Sequence, residues 1–116
     1  FGEIYRDHND RVAYAVASTV VGKSSYGVEY EVELPNKGDG KVAITFQDGP
    51  VSEVGANGVT SELLLSVLIH RLKFQDMKLA CDENKRAISH LEEALVNLEA
   101  RTFRRALRGV EGKAEA

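Results

Sequence analysis

SELLLSVLIHRLKFQDMKLACDENKRAISHLEEALVNLEARTFRRALRGVEG, Ser61–Gly112, decides the fold. It reads as a hairpin of two helices joined by a short turn. In the first helix, from about Glu62 to Met77, Leu64, Leu65, Leu68, Ile69 and Leu72 recur at helical spacing, and Thr60 or Ser61 can cap its start. Leu63, Val67 and Phe74 form a second apolar strip on another side. A helix apolar on two sides is usually sandwiched. One face can pack on its hairpin partner or sheet, and the other then needs a second subunit, so at least a dimer is expected. The second helix follows the connection Lys78 to Cys81, with Asp82 as its expected N-cap. It runs to about Leu107 or Arg108, where Gly109 is placed to end it.

The second helix changes character along its length. Ile88, Leu91, Leu95 and Leu98 make an apolar seam. Just past it come Arg101, Arg104, Arg105 and Arg108, at i, i+3, i+4 and i+7, which stacks four guanidiniums along about two turns. Arg105 continues the leucine seam, while Arg101 and Arg108 continue a stripe begun by Ala87 and Ala94. The helix macrodipole alone favours basic side chains at this end, and Glu99 or the strand glutamates could pair with them. Four arginines and no lysine lean toward forked recognition of phosphate.

Outward from the hairpin, the N-terminal half reads as strands. Residues 2–6 form a short one, and His8-Asn9-Asp10 a turn. Arg11 to Val21 is longer, with Val12, Tyr14, Val16, Ser18 and Val20 on one face and Ala13, Ala15 and Ala17 on the other. A turn is expected at Gly22 to Ser25. From Tyr26 to Leu34, Val28, Tyr30, Val32 and Leu34 alternate with Glu29, Glu31 and Glu33, the cleanest strand pattern present. Pro35 to Gly40 is a loop. Lys41 to Gln47 alternates again, with Val42, Ile44 and Phe46 expected inward. Short turns between successive strands imply an antiparallel meander, one face wet and one packed. The fold class expected is therefore α+β: a β region over 1–50, a linker over 51–60 holding the turn pair Asn57-Gly58, an oligomerising and ligand-binding helical hairpin over 61–112, and a flexible tail over 113–116.

Composition bounds the function. A chain of 116 residues is one domain's worth. Its net charge of −3 makes any anion site a local patch on an acidic body, which argues against a nucleic-acid binder. A lone cysteine, Cys81, excludes an internal disulfide and an all-cysteine metal site and fits a reducing, cytosolic setting. The longest apolar run, Leu63 to Ile69, is broken by Ser66 and too short to span a membrane. No signal-peptide pattern is visible in these residues.

Catalytic signals are lacking. His8, His70 and His90 have no metal-ligand spacing. The glycines at 38–40 and 55–58 lack the strand–loop–helix context of a dinucleotide site. Cys81 has no evident base, and Glu92 and Glu93, adjacent on a helix, point apart. Binding signals are better. Phe74 can stack a base, Asn84 can read an edge and Arg101 can hold phosphate. In an antiparallel hairpin Phe74 lies near Asn84 but about 25 Å from Arg101. Joining all three needs an antiparallel partner chain, and a two-fold dimer would make two equivalent pockets.

Several of these residues carry a resemblance. The run Asn57-Gly58-Val59-Thr60-Ser61-Glu62-Leu63-Leu64 resembles the opening of a hairpin domain of small phage proteins. So do Asp82-Glu83-Asn84, Ala87-Ile88 and His90-Leu91-Glu92-Glu93-Ala94-Leu95, and most specifically Arg101-Thr102-x-x-Arg105-x-x-Arg108-Gly109-Val110-Glu111-Gly112. Phage sponges that sequester immune cyclic nucleotides carry this hairpin. A preceding β-rich segment is similar to the anti-Thoeris sponge family rather than the shorter anti-CBASS sponges. The resemblance implies hairpin dimers that assemble into hexamers, as trimers of dimers, in the cytoplasm of the infected bacterial host. It implies glycocyclic ADP-ribose, a TIR-derived signal, as a ligand held without hydrolysis and without a cofactor. Phe74 matches the adenine-stacking aromatic, Asn84 a polar contact and Arg101 the phosphate-contacting arginine. Some members also hold cyclic di- or trinucleotides at separate sites, for which Arg105 and Arg108 are candidates. One departure is Asn97, which replaces a tryptophan common to the hairpin pattern. Two other readings stay open: a nucleic-acid-binding regulator using the arginine stripe, and a cyclic nucleotide hydrolase.

Overall fold

A computed structural model describes residues 2–18, 25–34 and 40–108. The chain divides into two compact units, Phe1–Val59 and Thr60–Ala116. The expected end of the second strand at 19–21, the turn at 22–24, the loop at 35–39, the Gly109 stop and the tail at 113–116 lie outside the described residues.

The first unit is an antiparallel sheet of β1 (Gly2–Arg6), β2 (Val12–Ser18), β3 (Ser25–Glu33) and β4 (Lys41–Thr45), in that spatial order. The α+β meander expected from the alternating runs is therefore what forms. β1 turns into β2 around Asp7, whose carboxylate accepts from the backbone N–H groups of Asn9 and Arg11 at 2.9 and 3.0 Å and from Arg11 Nε at 2.7 Å. Asp10 supplies the positive φ, 62°, that this tight reversal needs.

Register assigns the faces, because directly opposed residues share one. Val12, Tyr14 and Val16 stand opposite Glu33, Glu31 and Glu29, which stand opposite Lys41, Ala43 and Thr45. The valine side of β2 thus belongs to the glutamate face. Val12 is nonetheless only 3% exposed there. Glu31 pairs with Lys41 at 3.5 Å, and Glu33 takes a hydrogen bond from the Tyr14 hydroxyl. That bond is the main reason the phenol is held above its ordinary pKa. On the other face Ala13 and Ala15 meet Val32 and Tyr30, which meet Val42 and Ile44. Tyr30 and Phe46 pack edge to face, with ring centroids 5.7 Å apart. Val42, expected inward, is instead 47% exposed on the edge strand.

β4 ends at Thr45 rather than at Gln47; Phe46, whose N–H still donates to the Val28 carbonyl of β3 at 2.7 Å, forms a parallel bridge with Val59. Between them, residues 51–60, which read as a linker, contain a helical turn, α1 (Val51–Val54), closed by Gly55 at φ 75°. Gln47 Nε2 donates to the carbonyls of Gly49 and Gly55. Asn57 donates its amide to Asp48 O at 2.7 Å and accepts from Asp48 N at 2.8 Å. Gly58 is obligatory: a Cβ there would fall 2.6 Å from the Thr45 carbonyl oxygen and closer still to the Phe46 carbonyl. Asn57-Gly58 therefore clasps this segment onto the end of β4.

The second unit is the hairpin of α2 (Ser61–Lys78) and α3 (Asp82–Leu107). Thr60 caps α2, its hydroxyl accepting from Leu63 N. The cap of α3 is Cys81, not Asp82: the sulfur accepts from Asn84 N at 3.4 Å, and Asp82 opens the first turn, where its charge suits the macrodipole. Three cross-helix pairs fix an antiparallel register: Glu62 with Thr102, Lys73 with Glu92, and Asp76 with Lys85.

Burial in the hairpin is thin. Ile69, at 7% exposed, is its one fully buried side chain among the described residues, while Leu64, Leu65, Leu72, Ile88, Leu91, Leu95 and Leu98 are half-buried. Leu68, expected in the main stripe, is exposed. The second strip of α2 is exposed too, through Leu63, Val67 and Phe74 to Met77. Val96, Phe103 and Leu107 make a matching exposed row on α3. A fully buried leucine contributes about 1.5–3 kcal/mol, and most leucines here receive a fraction of that within one chain.

Candidate ligand-binding site

The hairpin sets its candidate site residues at two ends. Phe74 is near the C-terminus of α2, 43% exposed, with the Lys78 ammonium 5.1 Å from its ring centroid. The i, i+4 spacing of the two on one helix face produces that cation–π contact. Asn84 lies in the first turn of α3, half-buried, just across the connection of residues 79–81.

Asp76 organises this loop end. Its carboxylate accepts from Cys81 N at 3.1 Å and from Lys85 Nζ at 3.1 and 3.3 Å. The Cys81 N–H first, and then Lys85, hold the acid below the ordinary aspartate range. Cys81 ties the connection together by geometry: its N–H meets Asp76 and its sulfur meets Asn84 N.

At the opposite end are the arginines. Arg101 and Arg104 are exposed in the last turns of α3, Arg105 is half-buried, and Arg108 is the exposed C-cap residue. Beside them Thr102 donates to Glu62 Oε2 at 2.8 Å. Arg101 lies seventeen helical steps beyond Asn84, about 25 Å. One chain therefore brings Phe74 and Asn84 to one end and Arg101, Arg105 and Arg108 to the other, and it does not join the two groups.

Sequence reasoning missed Asp76 and Lys78. Both carried a signal. Phe74 and Lys78 are one turn apart, and Asp76 and Lys85 flank a short helix–helix connection, where opposite charges meet in an antiparallel hairpin. Asn97 donates its amide back to the Glu93 carbonyl of its own helix at 2.9 Å. Among the described residues no group of three or more His, Cys, Asp or Glu side chains is placed to hold a metal ion. No helix among them is long and apolar enough to cross a membrane.

The fold is thus an antiparallel β meander followed in sequence by a capped antiparallel helical hairpin. The model of the Acb2/Tad1 hairpin domain matches residues 38–103, more than half of the chain, and the chain belongs to that family. A curated relative, Thoeris anti-defense 1 of Bacillus phage SBSphiJ7, is 53% identical over 78 residues, covering 66% of this chain and 55% of its own length. The chain thus spans about half the length of the curated relative it matches. The family expected from the residues of the hairpin is the family found.

Proposed function

We propose that this protein is a phage anti-defence sponge. It binds the TIR-derived signal glycocyclic ADP-ribose, sequesters it without degrading it, and so blocks Thoeris immunity in the cytoplasm of the infected bacterium. The observation that carries this reading is the 53% identity to a protein named for Thoeris anti-defence, together with Phe74, Asn84 and Arg101 on the hairpin shared by the family. Phe74 stacks the adenine, Asn84 makes a polar contact and Arg101 holds phosphate. Arg105 and Arg108 are the candidates for cyclic di- or trinucleotides at a second site.

The two ends of the hairpin meet only if a second chain runs antiparallel to the first. The exposed rows on α2 and α3 supply apolar surface for that pairing, as a homodimer or a hexamer of three dimers. A sponge must hold its signal below the receptor's threshold, which calls for nanomolar binding, about −12 kcal/mol. Stacking at about 1–3 kcal/mol per base and charge-assisted bonds at about 1.5–3 kcal/mol each reach that in a preorganised pocket between rigid helices. No acid–base pair or cofactor is needed, because nothing is broken.

The test is direct. The protein is incubated with glycocyclic ADP-ribose, free ligand is removed, the protein is denatured, and the released molecule is identified by mass and chromatography. Intact ligand at about one per chain, as two equivalent pockets per dimer require, is the expected result. A changed product makes the protein an enzyme, and no retention refutes the ligand assignment.

A further inference from the structure

The Phe74 ring has two faces, and an ammonium occupies one of them. Lys78 stands one turn further along α2, and helical side chains lean back toward the N-terminus. Its stem therefore runs toward Phe74 and brings Nζ over the ring, 5.1 Å from the centroid. Three neighbouring cations are drawn to carboxylates instead: Lys73 to Glu92 at 2.9 Å, Lys85 to Asp76 at 3.1 Å and Arg86 to Glu83 at 3.9 Å. Among the described residues Lys78 pairs with no carboxylate, so no anion of the chain competes with the ring for its charge.

We infer that Lys78 is a positioning residue for base stacking: it closes one face of Phe74, so that a purine stacks on the opposite face, and its charge strengthens that stack. This rests on the proposed function for the ligand and adds to it the side from which the base arrives. Aromatic faces carry negative potential and repel one another when laid face to face. A cation on one face draws π density toward itself and leaves the far face less negative, a better platform for an electron-rich purine. The same ammonium bars a second base from the near face. Phe74 thereby takes one base and is not sandwiched between two.

The experiment is a double-mutant cycle read by glycocyclic ADP-ribose affinity. Lys78→Gln keeps most of the stem and removes the charge. Affinity is expected to fall about two- to fivefold, the worth of an exposed cation–π contact, and Lys78→Arg should restore it. In the Phe74→Leu background, Lys78→Gln should change nothing more. That background also separates the ring from the favourable place of a cation at the C-terminal end of α2, which is the same in both. An equal loss in both backgrounds means that Lys78 meets the ligand's phosphates directly or acts through the helix, and overturns the inference. The ligand-free protein gives a second readout by NMR. The ring current should move the Lys78 ε-methylene protons upfield in the wild type and release them in Phe74→Leu; ε-methylene protons unmoved between the two overturn the inference as well. If the wild type retains no glycocyclic ADP-ribose, the functional reading falls and takes this inference with it, an outcome distinct from retention that ignores residue 78.

Discussion

Thr102 donates its hydroxyl to Glu62 across the open end of the hairpin, at 2.8 Å and partly buried. It ties the first turn of α2 to the arginine-bearing turns of α3. Thr102→Val keeps the shape and removes the donor, and should lower stability by about 1 kcal/mol, measured by urea unfolding followed at the helix signal. An unchanged midpoint would mean that water replaces the bond at no cost.

Acidification should act on the loop end through Asp76. Its folded pKa is below the unfolded value, so the stabilisation is complete above the unfolded pKa and is lost as pH falls through the folded one. The unfolding midpoint of the hairpin should therefore drop below about pH 4. Asp76→Asn should flatten that limb. Asp7 in the sheet unit is also depressed, burial pushing it up but hydrogen bonds from Arg11 and Asn9 prevailing. Only the difference between wild type and variant is thus assigned to Asp76.

Gly58→Ala forces a methyl against the carbonyls of Thr45 and Phe46. A loss of about 1–3 kcal/mol, the usual range for overpacking, should appear in the sheet unit. Tryptophan is absent from the chain, so tyrosine fluorescence is the convenient probe, with Tyr30 close to the Phe46 ring. A variant as stable as the parent would mean that the clasp can open without penalty.

Phe74→Ala should weaken retention of glycocyclic ADP-ribose by the worth of one stacked base, about 1–3 kcal/mol, while Phe74→Tyr should preserve it. Because the ring is 43% exposed in the single chain, its removal leaves no sealed cavity within one hairpin, and the helix signal should be unchanged. Equal retention by Phe74→Ala would exclude stacking on this ring.

Assembly can be probed on the exposed row of α2. Val67→Lys puts a charge on a side chain that is 64% exposed in the single chain. Sedimentation should show the wild type as a dimer or hexamer and the variant shifted to smaller species, with retention of ligand lost in parallel. A wild type that sediments as a monomer at high concentration would remove the shared pocket.

The alternation of Val28, Tyr30 and Val32 with three glutamates made β3 legible, because period-two patterning survives any choice of neighbour. The hairpin was legible for the same reason at its own period. What was hidden depended on contacts distant in the chain. Val51–Val54 has no capping side chain and is too short to show a period. Asn57-Gly58 carries the composition of a turn, yet its role is set by the Phe46 and Asp48 backbone. Asp82 has the composition of a cap, but the extended backbone at Cys81 places the cap one residue earlier. At the site, Phe74, Asn84 and Arg101 were visible as chemistry. Asp76 was not, because its importance lies in contacts made across the helix–helix connection, to Cys81 N and Lys85 Nζ.

The clasp at residues 46–59 bears on how the hairpin can be inherited. The family match begins at residue 38, ahead of β4, and takes in β4 and the clasp before it reaches α2. β1, β2 and β3 lie outside it. The shared module therefore carries one strand of a sheet whose other strands it does not specify. Transplanting the hairpin from Ser61 onward would discard that strand, and starting at Pro50 would leave Asn57 without Gln47 and Asp48. A graft that keeps the clasp has to begin before Lys41 and offer β4 a neighbour to pair with, as β3 does here.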